Sequence, residues 1–243
     1  MKKLTVKLAV ILFILLLVSI AFSCAAPAPE PLTLTPEEEA LHESSKPERY
    51  KYDYFVAKFE EEDSIHPPPK DAILFAGASS IQLWNTEKWF PDLTNINRGI
   101  SSTKCTDVLY YADRIIIPYE PSTIVILVGN NDIAVFKPPE MVFADLKALL
   151  IKIRQALPQT RIIYLSMYPT LQRWENWPIM QEANDLISSL CETKQNIYYA
   201  DVAEVMFDEI GEVRKDIFAA DGLHLNETGY ELWTSVVRAF IDL

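Results

Sequence analysis

Near the end of the chain, Asp221-Gly222-Leu223-His224-Leu225-Asn226 sets a carboxylate three residues ahead of an imidazole. The sequence holds only three histidines. His42 lies in a Pro- and Glu-rich stretch and His66 directly precedes Pro67-Pro68-Pro69, which leaves His224 as the credible catalytic base. Histidine serves as a general base near neutral pH and works best when a carboxylate fixes its tautomer. Activity resting on such a base should rise with pH as the imidazole gives up its proton. The remaining question is which nucleophile it serves.

Three polar or Gly-bearing segments follow short apolar runs. In Gly77-Ala78-Ser79-Ser80-Ile81 a serine hydroxyl lies at the start of a helix, where unpaired amides can hold a developing oxyanion; Ser79 or Ser80 could equally just cap that helix. Asn97-Arg98-Gly99-Ile100-Ser101-Ser102-Thr103 reads first as a turn with an N-cap. Gly129-Asn130-Asn131-Asp132 offers two side-chain amides that are either turn residues or oxyanion donors.

These segments need a frame that brings them together. Apolar runs at 72–76, 93–96, 123–128, 161–165 and 197–200 read as strands, and helical patterns lie between them at about 80–85, 104–113, 139–157, 178–194 and 228–241. Runs such as Ile124-Val125-Ile126-Leu127-Val128 have no polar alternation, as expected of strands buried on both faces of a parallel sheet. The fold class is therefore α/β, a three-layer α/β/α sandwich with a five-stranded parallel sheet. Sites in such sheets form beyond the carboxyl ends of the strands. A further helix is expected in 47–63, with Tyr50, Tyr54, Phe55 and Phe59 at helical spacing, closed by the triple proline.

Taken in order with Asp221-x-x-His224, the three segments resemble the blocks of the SGNH (GDSL-type) hydrolases over about residues 72–233. Ser80-Ile81-x-Leu83-Trp84 and Gly222-Leu223-His224-Leu225-Asn226-x-x-Gly229-Tyr230 look like the bacterial branch related to platelet-activating-factor acetylhydrolases. The resemblance implies a flavodoxin-like fold and a serine esterase using an acyl-enzyme. It assigns Ser79 as nucleophile, His224 as base and Asp221 as its orienting acid, with an oxyanion hole made by the N–H groups of Ser79 and Ser102 and the side chain of Asn131. Two positions depart from the family pattern. Ala78 replaces a polar residue, and Ser102 stands where the family has glycine; serine can offer the same N–H without strain only if its φ is negative.

Arg173, Trp174 and Trp177, in the loop after the fourth strand, are expected on the same rim and are candidates for substrate binding, whereas Arg98 is expected to be a structural ion-pair partner. The substrate class implied is a small-molecule or glycan ester with a short acyl group such as acetyl. A lipid-directed acylhydrolase or thioesterase and a catalytically weak carbohydrate-binding lipoprotein remain as alternatives. No metal or organic cofactor is implied, and no spacing resembles a zinc site.

Residues 1–23 have the anatomy of an export signal, a basic start followed by an apolar run too short for a comfortable membrane span. Ala21-Phe22-Ser23-Cys24 resembles a lipobox, so Cys24 is expected to be lipidated and to anchor the protein to the membrane at the cell envelope. Residues 24–46, rich in proline and glutamate, read as a flexible tether ahead of a hydrolase domain at 47–243. Loss of 1–23 takes away three lysines and no acid, leaving 19 basic against 34 acidic residues, a net charge of −15 that argues against a nucleic-acid partner. Cys105 and Cys191 read as buried free thiols in preference to a disulfide.

Overall fold

The computed structural model describes residues 31–242; the expected export signal and Cys24 lie outside the described residues. Five strands, β1 (Ile73–Gly77), β2 (Asn95–Gly99), β3 (Thr123–Leu127), β4 (Arg161–Leu165) and β5 (Ile197–Ala200), form one parallel sheet in the order β2-β1-β3-β4-β5. The order reverses between β1 and β3, so the crevice for a ligand opens beyond Gly77 and Leu127.

Strand alternation divides the core into two layers. Leu74, Ala76, Ile124, Ile126, Ile162 and Tyr164 face one side, where they pack against α5 (Cys105–Ile115), α7 (Pro139–Ala156) and α8 (Trp177–Thr193). Phe75, Val125, Leu127, Ile163 and Leu165 face the other, which is covered by α9 (Glu227–Ile241) and by the short α3 (Ser79–Gln82) and α4 (Thr86–Trp89). The three-layer sandwich expected from the apolar runs is the observed fold. Strand β2 sits two or three residues later than its apolar run, because it is an edge strand whose polar Asn95, Asn97 and Arg98 have work at its margins. Asn97 Nδ2, for instance, donates to the Ile81 and Trp84 carbonyls and ties β2 to α3.

The N-terminal region differs from its sequence reading in two ways. Residues 36–44, expected to belong to a flexible tether, form α1 (Pro36–Ser44). Thr35 and Glu38 make a reciprocal capping box and Pro36 opens the first turn, which are signals independent of apolar content. The helix has no fully buried residue and is tied to α7 by polar contacts: Glu38 with Lys147 at 2.7 Å, His42 with Asp145 at 2.7 Å, and Ser45 Oγ, at its C-cap, donating to Asp145 at 2.6 Å. In α2 (Asp53–Ile65) the inward face is Tyr52, Val56 and Phe59, while Tyr50 and Tyr54 point to solvent. Cys105 and Cys191 are buried and unpaired, and burial raises both thiols, Cys191 to about 12, so neither is a nucleophile.

Candidate active site

The turn from β1 into α3 is built on Gly77, whose φ is +143° and where a Cβ would fall 2.0 Å from the Leu127 carbonyl oxygen. No other residue fits there. Ala78 then takes the N-cap position with extended backbone and no side-chain bond, so neither serine is spent on capping. Ser79, at the first helical position, lies with its Oγ 3.1 Å from His224 Nε2. Ser80 turns inward and shares a short hydrogen bond with the buried Tyr168 hydroxyl. The geometry thus brings Ser79, and not its neighbour, to the imidazole.

His224 Nδ1 is 2.7 Å from Asp221 Oδ2. Asp221 Oδ1 accepts the backbone N–H groups of Leu223 at 2.9 Å and His224 at 3.0 Å, an arrangement that the three-residue spacing allows on a tight turn. These two N–H groups, then the imidazole, hold the carboxyl down at about 2, so it is ionised throughout the working pH range. An ionised acceptor fixes the proton of a neutral imidazole on Nδ1 and leaves Nε2 to accept from the Ser79 hydroxyl.

Two features tie this turn to the nucleophile 145 residues away in sequence. Asn226 caps α9 by accepting from Gly229 N–H at 3.1 Å, which sets the helix directly after the histidine. From α9, Tyr230 stacks on Trp84 with ring centroids 5.6 Å apart and donates its hydroxyl to the Ser80 carbonyl at 3.0 Å. Trp233 adds edge contacts to Trp84 and to Tyr168, so α3, α9 and the loop after β4 share one aromatic cluster.

The backbone N–H groups of Ser79 and Ser102 have no acceptor among the described residues. Asn131 lies in α6 (Asn130–Ala134), a single turn that follows β3 where turn residues were expected. Its Nδ2 donates to the Thr103 carbonyl at 3.2 Å, and its Oδ1 accepts from Arg173 Nη1 at 3.2 Å. The amide is therefore oriented from both ends, with one N–H of Nδ2 left over. Ser79, Ser102 and Asn131 line one cavity with His224, and free donors beside a serine hydroxyl can stabilise the charge of a tetrahedral intermediate.

Ser102 has φ +66°, in the left-handed region. That conformation costs a serine about 1 kcal/mol, and it is held by Tyr52, whose buried hydroxyl donates to the Ser102 carbonyl at 2.8 Å. The sequence reading missed Tyr52 because the more exposed aromatics around it suggested a different helix face. Ser102→Gly should keep full esterase activity and about unchanged stability, since relief of strain offsets the greater chain entropy of glycine. Ser102→Val, β-branched at positive φ, should lose about 1–2 kcal/mol in urea unfolding and at least tenfold in kcat with it. Equal activity in the two variants would show that the Ser102 backbone does not contribute to the hole.

Ser79, Ser102, Asn131, Thr170, Arg173 and His224 share the lining of a cavity of about 160 Å³. Of the three rim residues expected to meet substrate, only Arg173 reaches it. Trp177 instead packs on Phe207, ring centroids 5.8 Å apart, and Trp174 stands half-exposed outside the lining. Trp177 opens α8 and is held by that helix against the core, which a reading of the loop as free rim could not show. Arg98 is paired with Asp63 at 2.5 Å and Tyr119 at 2.8 Å, the structural role expected of it.

Residues 83–232 match the GDSL-like Lipase/Acylhydrolase family, a span that contains Ser102, Asn131, Asp221 and His224 and begins four residues after Ser79. Among solved structures, the chain is similar to a Streptococcus pneumonia protein whose name refers to platelet activating factor, at TM-score 0.70 and 23% identity over 79% of this chain and 92% of that one. A GDSL-like lipase from Bacteroides thetaiotaomicron superposes at TM-score 0.65 and 19% identity, covering 77% and 97% of the two chains. A mutant of an acetyl-xylooligosaccharide esterase from Geobacillus Stearmophilus superposes at 0.57 and 16%, covering 72% and 96%. At these identities the likeness is one of fold. No curated protein matches the chain.

Proposed function

Because this chain belongs to the GDSL-like lipase/acylhydrolase family and is therefore an ester hydrolase, we propose that it is a serine esterase that removes short acyl groups, acetyl above all, from a glycan or small ester. The observation that carries the reading is the continuous path from Ser79 Oγ through His224 to Asp221, with steps of 3.1 and 2.7 Å. In the proposed reaction Ser79 Oγ attacks the ester carbonyl while its proton passes to His224 Nε2. The oxyanion is held by the N–H groups of Ser79 and Ser102 and by Asn131 Nδ2. Collapse expels the alcohol with that proton, and water activated by the same imidazole then releases the acid from the acyl-serine.

The cavity volume of about 160 Å³ supports a short acyl group, since a long chain would need an extended apolar groove. The acetyl-xylooligosaccharide esterase among the fold neighbours is in keeping with a glycan acetate. With the purified full chain, 4-nitrophenyl acetate should be cleaved with a kcat/KM at least tenfold above that for the octanoate, each methylene beyond the cavity gaining nothing from burial. Faster turnover of octanoate would move the assignment to a lipid-directed acylhydrolase. The left-handed Ser102 favours a second reading, a weakly catalytic carbohydrate binder, which gains if turnover does not depend on Ser79.

The place of action proposed is the cell envelope, with the protein exported and lipid-anchored through Cys24. The support is the sequence Ala21-Phe22-Ser23-Cys24 behind a short apolar run. Labelled palmitate should be incorporated by the native chain and not by Cys24→Ser; equal labelling would remove the anchor.

A further inference from the structure

Among the described residues, most arginines are spoken for by acids or carbonyls. Arg98, Arg114, Arg214 and Arg238 each face a carboxylate, and Arg154 and Arg161 donate to main-chain carbonyls. Arg49, without such a partner among the described residues, is exposed, whereas Arg173 is half-buried and lines the catalytic cavity. Among the described residues its guanidinium has one hydrogen-bond partner, the neutral Oδ1 of Asn131, and no carboxylate in salt-bridge range. A guanidinium has five N–H donors, so most of its capacity is unused in a half-buried position, where a charge without a counter-charge is costly.

Its placement is fixed. Arg173 N–H donates to Thr170 Oγ1 at 3.1 Å, and the preceding Gln172 N–H donates to the Gly222 carbonyl at 3.0 Å, which binds the arginine loop to the turn that carries Asp221 and His224. The lining of the catalytic cavity includes Arg173 and no aspartate or glutamate. We propose that Arg173 is an anion receptor in the substrate site, so that the ester cleaved carries a carboxylate close to its scissile acetyl group, as the acetyl ester of an acidic sugar does. This rests on the esterase reading above. A planar guanidinium matches a carboxylate with two parallel N–H···O bonds, and the small cavity leaves the anion on the alcohol portion of the ester, outside the space that takes the acyl group.

The test compares two acetyl esters that differ in one charge, 4-acetoxybenzoate and its methyl ester. The ratio of kcat/KM for the anionic over the neutral ester should fall about tenfold or more in Arg173→Gln and recover in part in Arg173→Lys. An unchanged ratio, with both esters slowed equally, would overturn the proposal and leave Arg173 as a positioning residue for the Asn131 amide. A second measurement is independent of turnover: the affinity of 4-acetoxybenzoate for Ser79→Ala, with and without Arg173→Gln. A tenfold weaker affinity in the double variant upholds anion recognition; equal or undetectable binding in both overturns it. If neither ester is hydrolysed in a Ser79-dependent manner the esterase reading fails, and this binding comparison still decides the role of Arg173.

Discussion

Ser79→Ala is expected to reduce kcat for 4-nitrophenyl acetate by about a hundred-thousandfold, with KM little changed. Removing Oγ takes away the atom that forms the acyl-enzyme in the proposed reaction, and Ser79 is the hydroxyl bonded to His224 Nε2, while that of the neighbouring Ser80 is buried against Tyr168. Asp221→Asn should cost less, about a thousandfold, for a different reason. Asparagine can still accept the Leu223 and His224 N–H groups through Oδ1, but its NH2 would then face Nδ1 and turn the imidazole into the tautomer with its proton on Nε2, aimed at the serine it should deprotonate. The side chain of Asp221 is 45% exposed, so water takes part of the load and the loss stays below that of the nucleophile.

The two changes should not add. The double variant is expected to match Ser79→Ala, because the acid acts only through the imidazole and the imidazole only on the hydroxyl. The carboxyl of Asp221 is held at about 2, below its ordinary value near 3.9, so whatever stability its contacts give is present above about pH 4 and is lost as pH falls towards 2. An acid limb of activity between pH 5 and 8 therefore cannot come from Asp221. Turnover of the acetate ester by Ser79→Ala within tenfold of the native rate would end the acyl-enzyme mechanism.

The candidate base was legible in the sequence because only three histidines are present, and His42 in a Pro- and Glu-rich stretch and His66 before a triple proline are poorly placed for chemistry. The strands were legible because burial on both faces leaves unbroken apolar runs, and their carboxyl ends marked the segments 77–81 and 129–132, within which the family resemblance singled out Ser79 and Asn131. What escaped notice was carried by polar atoms or by backbone angles. α1 is tied down through Glu38, His42 and the C-cap Ser45 and has no fully buried residue, so hydropathy has little to detect. The sign of φ at Ser102, on which the proposed oxyanion hole depends, is set by contacts such as that from Tyr52, 50 residues earlier. The aromatics of the loop after β4 looked equivalent in sequence; the start of α8 at Trp177 separates the one that packs from the one left outside.

Lys137→Met is expected to destabilise the protein by about 3–5 kcal/mol near neutral pH, the cost of leaving buried carboxylates without their cation. Lys137 Nζ lies 2.8 Å from both Asp132 and Asp145, each with a fully buried side chain. Burial raises the Asp132 pKa, against the pull of Lys137, and burial would likewise discharge the lysine if the flanking carboxylates did not more than offset it. Methionine keeps most of the volume and removes the charge. Without the cation the folded state should hold a proton on Asp132 that the unfolded chain releases near pH 4, so stability must fall as pH rises above that value. The deficit measured by urea unfolding should then be larger at pH 8 than at pH 5. A loss under about 1 kcal/mol at both would mean that the cluster is solvated and contributes as little as a surface pair. Activity should fall along with stability, since this cluster adjoins the proposed oxyanion donors. Asp132 directly follows Asn131 and accepts the N–H of Cys105, three residues beyond Ser102. Through Asp145 the same charges hold α1, so the segment read as a tether is joined by three buried or half-buried side chains to the residues proposed as oxyanion donors.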